Sequence, residues 1–314
     1  MRVTITGATG LIGRALIAAL QDRGAQVTVL SRDPAPASAR LRAAGLAPVE
    51  TVRWDLMNEP APTQAVAGRE AVVHLAGENV AQRWTARAKE AIRESRVLGT
   101  RHLVAALRRA EPRPRTLLSA SATGYYGPHG DEPLDEEAPA GSDFLAQVCV
   151  AWEAEAWKAC ELGVRVAQMR TGMVLDPDGG ALAKMLPPFR LGVGGPVAGG
   201  RQYVSWIHRD DLLGILTAAL ADERWSGPIN ATAPEPQTNR DFSRALGHAL
   251  RRPAVLPIPG VALRLLYGEM AEIVTTGARV VPAKPLVLGY QFGHPHVVEA
   301  LRSAIAHSEV VRPP

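Results

Sequence analysis

The chain has 314 residues, 46% of them hydrophobic, enough to bury one large core or two modest ones. Its formal net charge is +4, but the arginines are scattered, and Arg108/Arg109 and Arg251/Arg252 sit near expected helix ends, so nucleic-acid binding is not indicated. The two cysteines, Cys149 and Cys160, fall on one expected helix about 16 Å apart, which excludes a disulfide, and their spacing suits neither redox chemistry nor a metal.

Met1 leads straight into Arg2–Thr6, a β-branched run that reads as a strand and leaves no room for a signal peptide. No apolar run approaches the ~18 residues of a membrane span, so a soluble, cytoplasmic protein is expected. Gly7-Ala8-Thr9-Gly10-Leu11-Ile12-Gly13 follows, and Ile12, Leu16, Ala19 and Leu20 then recur at helical spacing. Strand, glycine turn and helix open a dinucleotide-binding βαβ unit. Gly7 lets the chain turn off the strand, Gly10 lets backbone approach a pyrophosphate, and Gly13 lets helix and strand pack closely. The helix start, at Thr9, Leu11 and Ile12, offers N–H groups and a positive dipole end to phosphate.

Gln26–Leu30 reads as the second strand and ends in Ser31-Arg32. A hydroxyl and a guanidinium suit a 2′-phosphate, which an acid would repel, so NADP(H) is favoured. A surface turn is the competing reading, because Asp33 is next door. Asp33–Pro48 reads as a Pro- and Ala-rich loop with one short helix, and Glu50–Trp54 as the third strand, followed by Asp55-Leu56. Ala71–Leu75 is the fourth strand, with His74 read as a core histidine, and the small Ala76-Gly77 would let a cofactor lie across its end. Glu78–Trp84 leads into a helix over Thr85–Arg109, on which Arg96 either reaches the cofactor or lies solvated. Thr116–Ser121, containing Ser119, is the fifth strand. Asp131–Gly141 is an acidic loop, Asp143–Glu161 a helix and Arg165–Met169 the sixth strand. Gly179–Gly200 reads as a loop-rich insertion suited to a substrate lid. His208 and Asp211, in Arg201–Leu212, read as structural more than catalytic. Ile229–Ala231 is a further short strand, and from Pro234 a smaller lobe is expected that includes Gly289–Phe292.

The G-x-x-G-x-x-G at Gly7–Gly13, the Ser121-Ala122-Thr123-Gly124-Tyr125-Tyr126-Gly127 stretch and Arg170–Leu175 resemble the extended short-chain dehydrogenase/reductases, the group of the nucleotide-sugar epimerases and dehydratases. With Ser31-Arg32, His74–Asn79, Arg83-Trp84, Trp152-Glu153, Leu191–Pro196 and Trp206-Ile207-His208, the likeness narrows to an atypical branch, the YfcH-like epimerase-family proteins (SulA-type or giant-chloroplast-like), over nearly the whole chain. The resemblance implies an α/β fold: a Rossmann-type doubly wound parallel sheet with a smaller C-terminal α/β substrate lobe. Residues 1–175, with 205–232 returning, would form the NADP-binding domain, and 176–204 with 233–314 the lobe. It implies that Asp55 and Leu56 contact adenine and that Leu75, Ala76, Gly77, Glu78 and Ser119 border the cofactor. Arg96 would replace a usual asparagine, Met173 would make a backbone contact beside the nicotinamide, and Ser121 would orient the substrate. The helices Thr85–Arg109 and Asp143–Glu161 would pair if the chain dimerises.

One expected pattern is missing. These enzymes use Tyr-x-x-x-Lys, in which the lysine lowers the tyrosine pKa and holds the ribose. Alignment on Trp152-Glu153 puts Leu145 and Cys149 there, and none of Tyr125, Tyr126, Tyr203, Tyr267 and Tyr290 has a lysine four residues on. Two functions remain. One is an NADP(H)-dependent oxidoreductase or epimerase with a rebuilt acid/base, using Ser121 and one of Glu78, Tyr125, Tyr126 or His208 on an unidentified small molecule. The other is an NADP(H) sensor or partner-binding protein without turnover. No G-x-x-x-x-G-K-[ST] phosphate loop supports an ATP protein.

Overall fold

The computed structural model describes residues 1–311, with side chains to residue 306. Seven parallel strands form the central sheet: β1 (Arg2–Thr6), β2 (Gln26–Ser31), β3 (Glu50–Arg53), β4 (Ala71–His74), β5 (Thr116–Ala122), β6 (Arg165–Thr171) and β7 (Gly227–Ala231). Their order is β7-β6-β5-β4-β1-β2-β3. The chain leaves β1 in one direction to β2 and later returns on its other side to β4, so a crevice opens at the carboxyl ends of β1 and β4. Thr6 is in register with Leu30 on one side and His74 on the other.

Alternation along the strands covers both faces of the sheet, as a buried parallel sheet requires. Val3, Ile5 and Val73 face helix α1 (Leu11–Gln21), through Leu16, Ile17 and Leu20, and a later helix through Ile215 and Leu216. Val72, Leu117 and Val166 face the opposite layer, with Leu103 and Leu107 of a long helix. Helix α2 (Pro34–Ala43) is the helix expected within Asp33–Pro48, and it takes up most of that segment. Its prolines lie in the first turn, where a missing N–H costs nothing, so they start the helix and do not break it. Helices α3 (Ala86–Arg109) and α4 (Phe144–Trp157) follow β4 and β5. Thr85 caps α3 and Asp143 caps α4 through their side chains.

The smaller core gathers α5 (Gly180–Arg190), α7 (Asn239–Leu250) and α8 (Val297–Val311), while α6 (Arg209–Ala221) belongs to the sheet. Leu182, Leu186 and Phe189 of α5 pack with Phe242, Leu246, Leu301 and Trp206. Half of the expected loop-rich insertion is therefore a core helix, because apolar residues one and two turns apart outweigh its Gly and Pro content. Gly289–Phe292 also differs from expectation: Tyr290 and Phe292 pack against the sheet core and not within the smaller one. No described helix is long and apolar enough to cross a membrane.

Candidate functional site

The glycine turn forms the floor of the crevice. Gly7 has φ +68°, and a Cβ there would lie 2.7 Å from the Leu75 carbonyl carbon and 2.8 Å from the Ala76 nitrogen. A Cβ on Gly13 would lie 2.4 Å from the Gly7 oxygen. Turn, helix start and strand end thus meet backbone to backbone. Gly10 is the N-cap of α1 and offers no side-chain cap, and the first turn, beginning at Leu11 and Ile12, contains no acid. Such a terminus suits an anion. Thr9 lies half-buried beside it.

Thr6 ties this floor to β4. Its Oγ accepts the N–H groups of Leu75 (3.2 Å) and Ala76 (3.1 Å) and lies 2.8 Å from His74 Nδ1. His74 is fully buried, and desolvation, with a smaller effect of the Arg96 charge, pushes its pKa down to about 4. It sits in the core, as its place in an apolar strand suggests.

At the β2 end, Ser31 Oγ donates weakly to the Asp33 carbonyl (3.4 Å), and Arg32 is exposed. Asp55 accepts from Asn58 Nδ2 at 2.8 Å, which with the Met57 N–H and the charges of Arg32 and Arg53 holds its carboxyl below the ordinary value. Leu56 is pressed against α3, where a Cβ on Gly99 would fall 2.6 Å from its methyl.

At the β4 end, Arg96 is half-buried and makes no ion pair among the described residues. Its Nη1 donates to the carbonyls of Glu78 (3.0 Å) and Ile92 (3.1 Å), and its Cζ stands 5.1 Å from the Trp152 ring centroid. Burial holds its pKa below the ordinary value, against weaker opposing effects of Cys149 and Glu78. Ser95 Oγ accepts the Glu78 N–H, and the Glu78 carboxylate accepts from Gln82 Nε2 at 3.3 Å. Gly77 is exposed.

Beyond β5 lies a buried polar network. Ser121 Oγ donates to Glu153 Oε1 at 2.6 Å, and Arg170 grips both oxygens of that carboxylate, Nε to Oε1 at 3.0 Å and Nη2 to Oε2 at 2.9 Å. Burial works against the Arg170 charge, but Glu153 more than reverses this and holds the guanidinium pKa above its ordinary value. Arg170 Nη1 also donates to Tyr126 Oη at 3.0 Å, and Tyr126 donates onward to Asn230 Oδ1 at 2.7 Å. Tyr126 is wholly buried, whereas Tyr125 is half-buried, its ring 3.4 Å from Arg170 Cζ. Ser119 is buried in mid-strand.

Leu145 and Cys149, the residues that the sequence alignment sets at the tyrosine and lysine positions, both lie on α4. Leu145 lies over Gly124. Cys149 is buried, which, with a smaller effect of Glu153, pushes its thiol up to about 12. Met173 donates its N–H to the Ser205 carbonyl at 2.7 Å and is in register with Trp206 in a short parallel pair, so its N–H is engaged. His208 is buried, accepts the Asp210 N–H at Nδ1 (3.2 Å) to cap α6, and stacks 3.8 Å from His294. Ligand atoms of His208, Asp210 and His294 lie within 4.8 Å of one another. Glu153 was not singled out as a site residue from the sequence. The available signal was an acid within the buried stripe Ala146, Cys149, Trp152, Ala156 of α4, together with an arginine inside the apolar β6.

Residues 3–230 match the NAD dependent epimerase/dehydratase family, and residues 258–304 match a domain of unknown function, DUF1731. The epimerase family protein SDR39U1 homolog, chloroplastic, of Arabidopsis thaliana is 41% identical over 308 residues, covering 96% of this chain and 86% of that protein. Epimerase family protein Mb2239 of Mycobacterium bovis is 42% identical, covering 95% of this chain and 96% of its own. The crystal structure of human epimerase family protein SDR39U1 (isoform2) with NADPH is similar with a TM-score of 0.85 and 35% identity, covering 98% of this chain and 99% of that one.

Proposed function

The chain belongs to the NAD dependent epimerase/dehydratase family, and from that premise we propose that it binds NADP(H) and acts as an oxidoreductase or isomerase on a small molecule, with Ser121 and Glu153 serving in place of the absent tyrosine and lysine. The residues fit the cofactor. Gly7 and Gly13 have no room for a side chain, α1 is uncapped, and Arg32 stands exposed for a 2′-phosphate beside Asp55. The relative solved with NADPH supports the same assignment. When bound, the cofactor supplies or accepts a hydride.

The single observation that carries the catalytic reading is the 2.6 Å bond from Ser121 Oγ to Glu153 Oε1. Because Ser121 gives its proton to the carboxylate, its oxygen is free to accept one from a substrate hydroxyl. Ser121 and Glu153 together form a path along which a proton can leave or return. Arg170, bonded to both carboxylate oxygens, fixes the base in one orientation. In this reading Tyr126 and His208 are structural, their polar atoms serving the network and the α6 cap. Glu78 places backbone around Arg96, and Tyr125 borders the substrate. Residues 1–175 with 205–232 act as the cofactor domain, and residues 176–204 with 233–288 and 295–311 close on the substrate, while residues 289–294 stay with the sheet core. Val150 and Trp157, exposed on α4, support a homodimer through α3 and α4.

An NADP(H) sensor without turnover is the second reading. It is favoured by Leu145 and by a Cys149 thiol pushed up to about 12, neither of which moves protons near neutral pH. Titration with NADPH and NADH, followed by cofactor fluorescence, tests the common part, with NADPH expected to bind about tenfold tighter or more. Equal affinities would sink the Arg32 assignment. A substrate screen on the NADPH complex then separates the readings. For an enzyme, Ser121→Ala should lower kcat by about 10²-fold or more while leaving NADPH affinity unchanged. If no substrate turns over, the sensor reading stands.

A further inference from the structure

The short strand Trp206–His208 ends where α6 begins, and the chain returns to this point far later in the sequence. Asp211 fixes the return: its carboxylate accepts the N–H groups of Gly293 at 2.7 Å and His294 at 2.9 Å. The His294 imidazole is thereby set on that of His208, with ring centroids 3.8 Å apart. Beside them the Asp210 carboxylate has Oδ2 3.7 Å from His208 Nδ1. One ligand atom from each of the three residues lies within 4.8 Å of the other two, and no other group of three His, Cys, Asp or Glu among the described residues is gathered in this way.

Two imidazoles and a carboxylate are donors that a borderline divalent ion such as Zn²⁺ takes, three protein ligands leaving one position for water. Donors at about 2 Å from a common ion stand about 3–4 Å apart, so the group has to contract by about an ångström. The parts that must move are the accessible ones: His208 is buried, whereas Asp210 is exposed and His294 half-buried. Arg209 holds Asp210 loosely, its Nε 3.4 Å from Oδ1, while its Nη1 donates to the buried Asp176 at 3.0 Å. His208 Nδ1 accepts the Asp210 N–H at 3.2 Å, the long end of the range, so its lone pair can pass to a cation. Asp210 and Asp211, both in the first turn of α6, offset the positive end of the helix dipole, which alone would repel one. Neutral imidazoles, the form that ligates, tolerate this stacking, whereas two imidazolium cations would repel each other.

We propose that His208, Asp210 and His294 form a divalent-metal site of the Zn²⁺ type, a clasp that pins residues 289–294 to the start of α6. The ion joins by coordination the same two segments that Asp211 joins by hydrogen bonds. None of the three residues belongs to the glycine turn or to the Ser121–Glu153 pair, so the clasp does not depend on the function proposed above.

The full chain, without a histidine tag, is stripped of metal with a chelator, freed of the chelator and titrated with Zn²⁺ by calorimetry. One ion per chain is expected, and His294→Ala and Asp210→Asn are each expected to weaken Zn²⁺ about tenfold or more. His296→Ala removes an exposed imidazole that lies 3.3 Å from Glu235 and outside the group. It is expected to leave the affinity within about twofold. Zn²⁺ should also slow proteolysis around residues 289–294 in the unaltered chain and not in His294→Ala. Four results would overturn the proposal: no saturable binding, an affinity unchanged in either variant, an equal loss in His296→Ala, or binding that leaves the cleavage rate unchanged. Circular dichroism checks the fold of each variant, and if His294→Ala fails to fold, His294→Gln carries the same comparison.

Discussion

His74 illustrates what burial does to one side chain. Its pKa is about 4 in the folded chain against 6.5 when solvated, so between those values the unfolded chain binds a proton that the folded chain refuses. Stability is therefore complete above the unfolded pKa and is lost as pH falls through the window. The loss from this one group is about 2 kcal/mol between pH 7 and pH 5. Urea unfolding of the unaltered chain and of His74→Gln at both pH values checks this, and the variant should lose less stability on acidification. An equal loss in both would assign the acid sensitivity elsewhere. His74 was legible as a core residue because it sits inside AVVHL. Its bond to Thr6, 68 residues away, was not.

Among the elements, the strand, glycine turn and α1 were read in full, because every requirement is local: a β-branched run, small residues at the turn, and apolar residues at helical spacing. The structure explains the spacing in atomic terms. A Cβ on Gly13 would meet the Gly7 oxygen at 2.4 Å and the Ala8 Cα at 2.7 Å, both backbone atoms that cannot swing aside. Gly13→Ala is therefore expected to destabilise the chain by about 1–3 kcal/mol, the usual range for overpacking, measured by urea denaturation. A change within about 0.5 kcal/mol would mean that the turn yields. Helix α5 shows the opposite case. Its Gly and Pro content suggested loop, and what makes it a helix is the hydrophobic surface of α7 and α8, far along the chain, that Leu182, Leu186 and Phe189 bury against.

Across the whole molecule, Asp211 joins segments about eighty residues apart. Its carboxylate accepts the N–H groups of Gly293 (2.7 Å) and His294 (2.9 Å), and Tyr290 Oη donates to its carbonyl at 3.0 Å. This holds residues 289–294 against the sheet core. Asp211→Ala would leave two amide donors without acceptors, at about 1–3 kcal/mol each. Limited proteolysis read by mass spectrometry should then show faster cleavage around residues 289–294, and an unchanged cleavage rate would count against this role.

The sequence by itself determined the family and the fold class, through motifs that resemble the family along nearly the whole chain, and the strand–glycine turn–helix opening, through periodicity and spacing within a few dozen residues. It also showed that the tyrosine and lysine are missing. The residues proposed to serve in their place come together only through tertiary structure. Ser121 meets Glu153 from 32 residues away, and Tyr126 meets Asn230 from 104. Arg96 meets Gly77 and the Trp152 ring only when α3 packs against α4. Hydrogen bonds and burial depend on which faces of distant elements are pressed together, and local pattern cannot encode that.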